Sequence, residues 1–352
     1  MMVEAAWPQA VAPARPDRPS GTAAVLALDL GASRIRAAVV AADGTVLARQ
    51  TCATPVLAGP SAVVDACVVA LASVRRDPAV VSRPLGGLGV SAPGPLDAAS
   101  GTLLEPPNLG PAFHDLHLGD ALARATGLDV VMERDTNVAA LAERAFGSAR
   151  GEDDFLYLTV STGIGGAIVA GGRLFGGPDG LAGELGHVLV ELDGPLCGCG
   201  ARGHLEAVSS GSGIAARARE RMAAGDAPGL ISIAARRERS PGMPEEIDAR
   251  LVAQAEEAGD PAAADIMRRA RRGFAAALVG LVDVFTPHLV VIGGGLARAQ
   301  GERWLAPARE AVAALAFRVV AGRTRIVAAA LGDDVGLAGA VPLLALRPNS
   351  PS

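Results

Sequence analysis

Residues 23–40 read Ala23-Ala24-Val25-Leu26-Ala27-Leu28-Asp29-Leu30-Gly31-Ala32-Ser33-Arg34-Ile35-Arg36-Ala37-Ala38-Val39-Val40. An apolar run with one acidic residue near its end breaks into a turn of small residues and then resumes. That is the pattern of two buried strands joined by a tight hairpin. Asp43-Gly44 is a second hairpin signal, and Val46-Leu47-Ala48-Arg49-Gln50 reads as the third strand of a meander. Small residues such as Gly31 and Ser33 let backbone N–H groups approach a phosphate, and Asp29 beside them can hold a hydrated Mg²⁺. An ordinary tight hairpin has the same composition, so the motif alone does not decide. Its recurrence carries more weight. Phe155-Leu156-Tyr157-Leu158-Thr159-Val160 breaks into Ser161-Thr162-Gly163-Ile164-Gly165-Gly166 and returns as Ala167-Ile168-Val169-Ala170. Two strand–glycine turn–strand units, each opening one half of the chain, predict duplicated α/β units facing a cleft.

Around these units the periodicity predicts a helix over 61–76 with Val63, Val64, Val68 and Leu71 inward. A strand over Leu85–Ser91 runs into the rigid turn Ala92-Pro93-Gly94-Pro95. A helix follows at 118–126, a strand at Val130–Glu133 and a helix from Asn137 to about Phe146. Asp135 falls at that last strand-to-helix junction. There it is either part of a helix cap, with Thr136, or a carboxylate at the sheet edge where α/β proteins put ligands. Helical patterns recur at 207–223 and 250–258, an exposed loop is expected at 236–246, and a long helix over 261–285. His288–Ile292 is a buried strand entering Gly293-Gly294-Gly295, which suits a flat ligand ring on backbone or a plain βα connection. Ile326–Ala329 is a strand, and a small-residue helix runs from Gly336 to about Leu346. Residues 1–21 are Pro- and Ala-rich and read as a disordered tail.

The chain has 352 residues, of which half are hydrophobic, so it can bury a large core. A net charge of −5 argues against non-specific nucleic-acid binding. No apolar run has the length of a membrane helix, and no signal peptide is legible at the N-terminus. Cys52 and Cys67 stand apart, and Cys197 and Cys199 are too close for a comfortable disulfide, which fits a reducing cytoplasm. Of four cysteines and five histidines in all, two of each fall between His187 and His204, beside Glu184 and Glu206. That concentration points to a metal, a reaction, or both.

The order of these motifs resembles the ROK family of sugar kinases and sugar-responsive repressors, from about Leu26 to Leu346. Asp29-Leu30-Gly31-Ala32-Ser33-Arg34 is similar to the family's first phosphate loop, usually written DIGGTK, and Pro107-Asn108-Leu109 to its sugar-binding loop. Glu133-Arg134-Asp135-Thr136-Asn137 is similar to its ENDAN segment, and Ser161–Gly166 to its second phosphate loop. Gly183-Glu184-Leu185-Gly186-His187 with Cys197, Cys199 and Glu206 matches its signature, Gly293-Gly294-Gly295 its adenosine loop, and Leu331–Leu337 its closing motif.

The resemblance implies an α/β actin-like ATPase fold, a duplicated ribonuclease H-like unit, with two lobes around a central cleft. By it, residues 22–136 form the first lobe, completed by the helix at 336–346. Residues 137–335 form the second lobe and carry a zinc segment at 183–206. It implies a hexose kinase, most simply a glucokinase, with kinases for mannose, fructose or N-acetylated amino sugars as alternatives. Asp135 is then the general base that takes the proton of the sugar 6-hydroxyl. Asn108, Glu184, His187 and Glu206 hold the other hydroxyls. Asp29, Gly31, Ser33, Arg34, Thr162, Gly163, Gly165, Gly293, Gly294 and Gly295 receive ATP with Mg²⁺. His187, Cys197, Cys199 and His204 supply two nitrogens and two sulfurs, a set suited to structural Zn²⁺, with His204 standing where the family usually has Cys. The family also implies a homodimer. Its repressors carry a winged helix-turn-helix ahead of the sugar domain, for which the irregular residues before Asp29's strand are too few. A sugar sensor without turnover is the third reading. Arg134 stands where Asn usually precedes the base; it could turn away, pair with Glu133, or recognise an acidic substituent.

Overall fold

The computed structural model describes residues 23–238 and 247–346. The tail expected at 1–21 lies outside the described residues, as does most of the loop expected at 236–246. The first sheet has the order β3-β2-β1-β4-β7, with β1 at Ala24–Leu30, β2 at Arg34–Val40, β3 at Val46–Ala53, β4 at Leu85–Ala92 and β7 at Val130–Arg134. Between β4 and β7 lie a small hairpin, β5 (Leu96–Asp97) and β6 (Thr102–Leu103), and helix α2 (Leu118–Thr126). Helix α1 (Pro60–Arg75) links β3 to β4. The second sheet has the order β10-β9-β8-β11-β12, with β8 at Phe155–Val160, β9 at Ile164–Ala170, β10 at Arg173–Leu174, β11 at Leu289–Gly293 and β12 at Arg325–Ala328.

The two sheets repeat one plan. β1 pairs antiparallel with β2 and parallel with β4, and β8 pairs antiparallel with β9 and parallel with β11. This is the duplication the two glycine turns predict. Helices cover both faces of β1, α1 on one side and the last helices of the chain on the other, which explains why it is buried along its whole length and reads as a continuous apolar run rather than an alternating one. β11 is buried throughout for the same reason.

Helix α3 (Asp135–Phe146) packs between the sheets. Its Ala139 and Ala140 join Tyr157 and Val291 of the second sheet, while Val138 and Leu141 meet Leu343. The end of the chain returns to the first sheet. Leu337 of α12 (Val335–Ala338) and Ala340 and Val341 of α13 (Ala340–Leu344) pack on Val25, Ala27, Ala38 and Val40. Burying a side chain such as Leu337 contributes about 1.5–3 kcal/mol.

Several expectations need correction. Val63 and Leu71 of α1 are buried as expected and Val64 and Val68 pack half-buried against the same core, while Cys67, Ala70 and Val74 are buried positions the periodicity reading left out. The pattern at 207–223 is two helices, α4 (Leu205–Ser209) and α5 (Gly211–Ala223). Ser210 takes an extended conformation and caps the second, its Oγ accepting the Gly213 N–H at 3.0 Å. Helix α6 (Pro228–Glu238) reaches into the stretch read as loop. α7 (Ala249–Glu257) and α8 (Pro261–Phe285) stand where the periodicity puts them. α9 (Gly295–Gln300), α10 (Glu302–Leu315) and α11 (Arg318–Ala321) fill a region with no sequence reading beyond a helix after the glycines. The closing helix is broken between α12 and α13 at Gly339, where a side chain would strike Val138.

Candidate active site

Asp29, the residue before the last of β1, lies between two lateral neighbours. In the sheet register it stands opposite Arg36 of β2 and beside Ser91 of β4. Ser91 Oγ donates to Asp29 Oδ1 at 2.7 Å, and the Arg36 guanidinium pairs with Oδ2. Arg36 also donates to the carbonyl of Asp333. The hairpin tip is fastened from below, with Thr54 Oγ1 donating to the Gly31 carbonyl at 2.7 Å and Gly31 N–H to the Arg34 carbonyl at 2.9 Å. Ser33 and Arg34 are left exposed at the tip.

Asp135 is the first residue of α3, at the end of β7. Its Oδ1 accepts the Thr136 N–H at 2.7 Å. The helix is capped by the backbone at Arg134, with no capping side chain, so Asp135 does not serve as the cap. Its carboxyl is pushed up to about 6. Desolvation among the surrounding protein is the first cause and the negative charge of Asp29 the second, with Glu184 adding to them. The Thr136 N–H and the Arg134 charge oppose the rise. The side chain still opens to solvent, so the carboxylate is crowded by protein yet reachable.

Arg134 turns away from the cleft. Its side chain is only 4% exposed and donates to Glu184 Oε1 at 2.8 Å and to the Ala182 carbonyl. Glu133 does not pair with that guanidinium. It accepts the Arg134 backbone N–H at 2.7 Å and Asn137 Nδ2 at 3.0 Å.

Glu184 leads to His187, whose Nε2 lies 3.9 Å from Glu184 Oε2. The other face of the imidazole belongs to the Cys/His cluster. His187 Nδ1 is 3.3 Å from His204 Nδ1 and 3.7 Å from Cys197 Sγ, and Cys199 Sγ is 3.2 Å from His204 Nδ1. The four ligand atoms all lie within 4.8 Å of one another. Zinc–nitrogen and zinc–sulfur bonds of ~2.0–2.3 Å in a tetrahedron put ligand atoms roughly 3.3–3.8 Å apart, so the donor set fits that ion.

Glu206 sits against the second glycine turn. Its Oε2 accepts the Ile164 N–H at 2.9 Å, and Oε1 lies 3.9 Å from Cys197 Sγ. The turn is packed between the other parts of the site. A Cβ on Gly165 would come within 2.6 Å of the Thr136 methyl, and one on Gly186 would strike the Ile164 carbonyl. At the third glycine run, Gly294 has φ 93° and lies against the Val160 backbone, where no side chain fits.

Neighbouring charges and short contacts thus link Asp29, Asp135, Glu184, His187, the Cys/His cluster, Glu206 and the second glycine turn. Asn108 is exposed and has no hydrogen bond among the described residues. The sequence reading missed Arg36 and Ser91. The signal available for both was register, since each is the lateral neighbour of Asp29.

A family model described as the ROK family matches residues 25–346. The glucokinase of Thermotoga maritima is 36% identical over 323 residues, which is 92% of this chain and 98% of that protein. The N-acetylmannosamine kinase of Shigella flexneri is 32% identical, covering 91% and 97%. A ROK-family glucokinase from Streptomyces griseus, solved in complex with glucose and AMPPNP, superposes with a TM-score of 0.76 at 32% identity, covering 91% of this chain and 98% of that one. With the doubled sheet, these likenesses show that the chain belongs to the ROK family and has its actin-like ATPase fold.

Proposed function

We propose that this chain is a sugar kinase that transfers the γ-phosphoryl group of ATP to the 6-hydroxyl of a hexose, with glucose as first substrate. The observation that carries the reading is Asp135, a reachable carboxylate at the first turn of α3 whose carboxyl is held near 6 by its surroundings. A sugar hydroxyl is a weak nucleophile, and a carboxylate beside it accepts the proton as the oxygen–phosphorus bond forms. Similarity to two glucokinases, one of them seen with glucose and AMPPNP, supports both substrates. The N-acetylmannosamine kinase relative keeps N-acetylated amino sugars as the alternative acceptors.

In this reading Glu184, His187, Glu206 and Asn108 receive the sugar hydroxyls. Gly31, Ser33, Arg34, Thr162, Gly163 and Gly165 border the phosphates, and Gly293, Gly294 and Gly295 the adenosine. Mg²⁺ bound with the nucleotide neutralises developing phosphate charge, and Asp29 is the carboxylate that would face it. His187, Cys197, Cys199 and His204 would hold a structural Zn²⁺, and His187, held there through Nδ1, would present Nε2 to the sugar. We also assign residues 22–136 with 336–346 to one lobe and 137–335 to the other. A homodimer belongs to the same reading, as does the cytoplasm, where ATP is at hand.

A coupled assay over glucose, mannose, fructose, allose and the N-acetylated amino sugars tests the proposal. The expected result is ADP release that requires Mg²⁺ and sugar and that Asp135→Ala abolishes in a folded protein. No ADP with any sugar, while sugar still raises the melting temperature, would favour a sensor instead.

A further inference from the structure

Arg134 is a buried cation with an incomplete set of partners. Its relative exposure is 3%, and its Nε is buried without an acceptor among the described residues. One guanidinium nitrogen donates to Glu184 Oε1 at 2.8 Å and the other to the Ala182 carbonyl. Glu184 itself is 54% exposed, so the pair is one-sided: the cation is sealed in protein while the carboxylate faces the cleft. The second carboxylate oxygen, Oε2, is the one turned to His187 Nε2. The stem of Arg134 passes beneath Gly94, where a Cβ would lie 2.9 Å from Arg134 Cδ.

Stability does not account for this arrangement. Burying a guanidinium incurs desolvation, and removing one partner of an ion pair is costly when it leaves the other charge buried, which Glu184, 54% exposed, would not be. Glu184 can reach water. What the pair does supply is a fixed orientation for a carboxylate that would otherwise rotate freely in the cleft mouth.

We infer that Arg134 is a positioning residue for substrate binding: it holds Glu184 Oε1 so that Oε2, beside His187, is presented to the hexose as a preset acceptor. The inference rests on the hexose-kinase reading of this site. A charge-assisted hydrogen bond that is preformed spares the ordering that binding would otherwise require, so it acts on affinity for the sugar. ATP does not meet Glu184 in that reading, and Asp135 keeps its own hydrogen bond to Thr136. The guanidinium is also committed behind Glu184, so it does not serve as a receptor for an acidic substituent on the sugar.

The test is Arg134→Met, assayed at pH 8 so that Asp135 is ionised in both proteins. The expected result is a glucose KM raised about 10- to 100-fold, the effect of losing one charged hydrogen bond, with kcat and the ATP KM within about threefold. The melting temperature without sugar should not fall, whereas a purely structural role would lower it. Two further variants hold the inference to account if Arg134→Met does not fold. Arg134→Lys keeps the charge but cannot span both Glu184 and Ala182, and should give an intermediate KM. Gly94→Ala displaces the Arg134 stem and should raise the glucose KM in the same direction. Glu184→Gln should leave Arg134→Met without further effect when the two are combined. A glucose KM and a glucose-induced thermal shift unchanged within twofold in these variants would overturn the inference, as would a KM rise that only accompanies a fall in melting temperature. Wild-type protein that binds glucose but releases no ADP sinks the kinase reading instead, and the thermal shift still decides the role of Arg134.

Discussion

Arg36 stands directly opposite Asp29 in the β1–β2 pair, and its guanidinium holds Asp29 Oδ2 while Ser91 holds Oδ1. Both oxygens of the carboxylate expected to face Mg²⁺ therefore already have protein partners. A cation arriving with the nucleotide competes with a resident cation for one carboxylate. Replacing Arg36 with Met should lower the Mg²⁺ concentration for half-maximal activity roughly threefold to tenfold, the size of a partly exposed charged contact. A titration of activity against Mg²⁺ at fixed ATP measures this. An increase would mean that Arg36 serves the phosphates rather than competing for Asp29.

The raised carboxyl of Asp135 sets a pH dependence with a definite sign. As the proposed general base, the group must be ionised to accept a proton. It is ionised above about 6 and protonated below, so activity should hold above that pH and fall about tenfold per unit below it. Arg134 opposes the rise in the Asp135 pKa. Removing its charge in Arg134→Met should therefore move the acidic limb to higher pH. A kcat/KM profile from pH 5 to 9 for both proteins checks the two statements. A limb near 4, or one that moves to lower pH in the variant, would contradict them.

What was legible in the sequence, and what was not, divides along the range of the interactions. Asp29 and Asp135 can be found because each sits where a strand meets a turn, and both signals lie within a few residues. The doubled fold can be found because the Gly-rich turns at 31–34 and 161–166 repeat. The role of Arg36 cannot be read without register, since only strand pairing puts it opposite Asp29. The destination of Arg134 depends on Glu184, which lies 50 residues further along the chain and accepts its hydrogen bond. Helix α10 escapes for another reason. It carries Pro307 in its interior and has no side-chain N-cap, so neither its start nor its continuity is written locally. Tertiary packing of Trp304, Leu305, Ala308 and Val312 into the second core supplies what those signals lack.

The Cys/His cluster gives a prediction independent of turnover. Metal analysis of the purified protein should find about one zinc per chain, as a closed four-ligand site implies. His204→Ala should lose it and lower the melting temperature. His204→Cys replaces one nitrogen donor with a sulfur and should retain it. Because His187 contributes Nδ1 to the cluster and turns Nε2 toward Glu184, loss of the metal should also raise the glucose KM. Metal-free protein with an unchanged melting temperature and glucose KM would remove the site from this account.

Glu143 offers the last test, because it ties the helix that carries the proposed base to the segment leading into Asp333 and Asp334. It lies two turns beyond Asp135 on α3 and is fully buried. Its carboxylate accepts the N–H groups of Ser148 at 2.7 Å, Ala330 at 3.0 Å and Leu331 at 2.9 Å. Residues 330 and 331 lead into Asp333 and Asp334. Arg298 pairs with Asp333 at 2.8 Å, Arg49 pairs with Asp334 at 2.7 Å, and Arg36 donates to the Asp333 carbonyl. Glu143→Ala leaves three part-buried N–H donors without their acceptor and empties the buried space of its side chain, which costs about 1–3 kcal/mol. Glu143→Gln keeps the volume and one acceptor oxygen, and should cost less. Because the released segment carries the partners of Arg36 and Arg298, the glutamine variant should raise the ATP KM while the glucose KM stays within about twofold. Denaturant melts together with the two KM values separate these effects. A glutamine variant whose glucose KM rises instead would show that Glu143 acts through Asp135 on the sugar side.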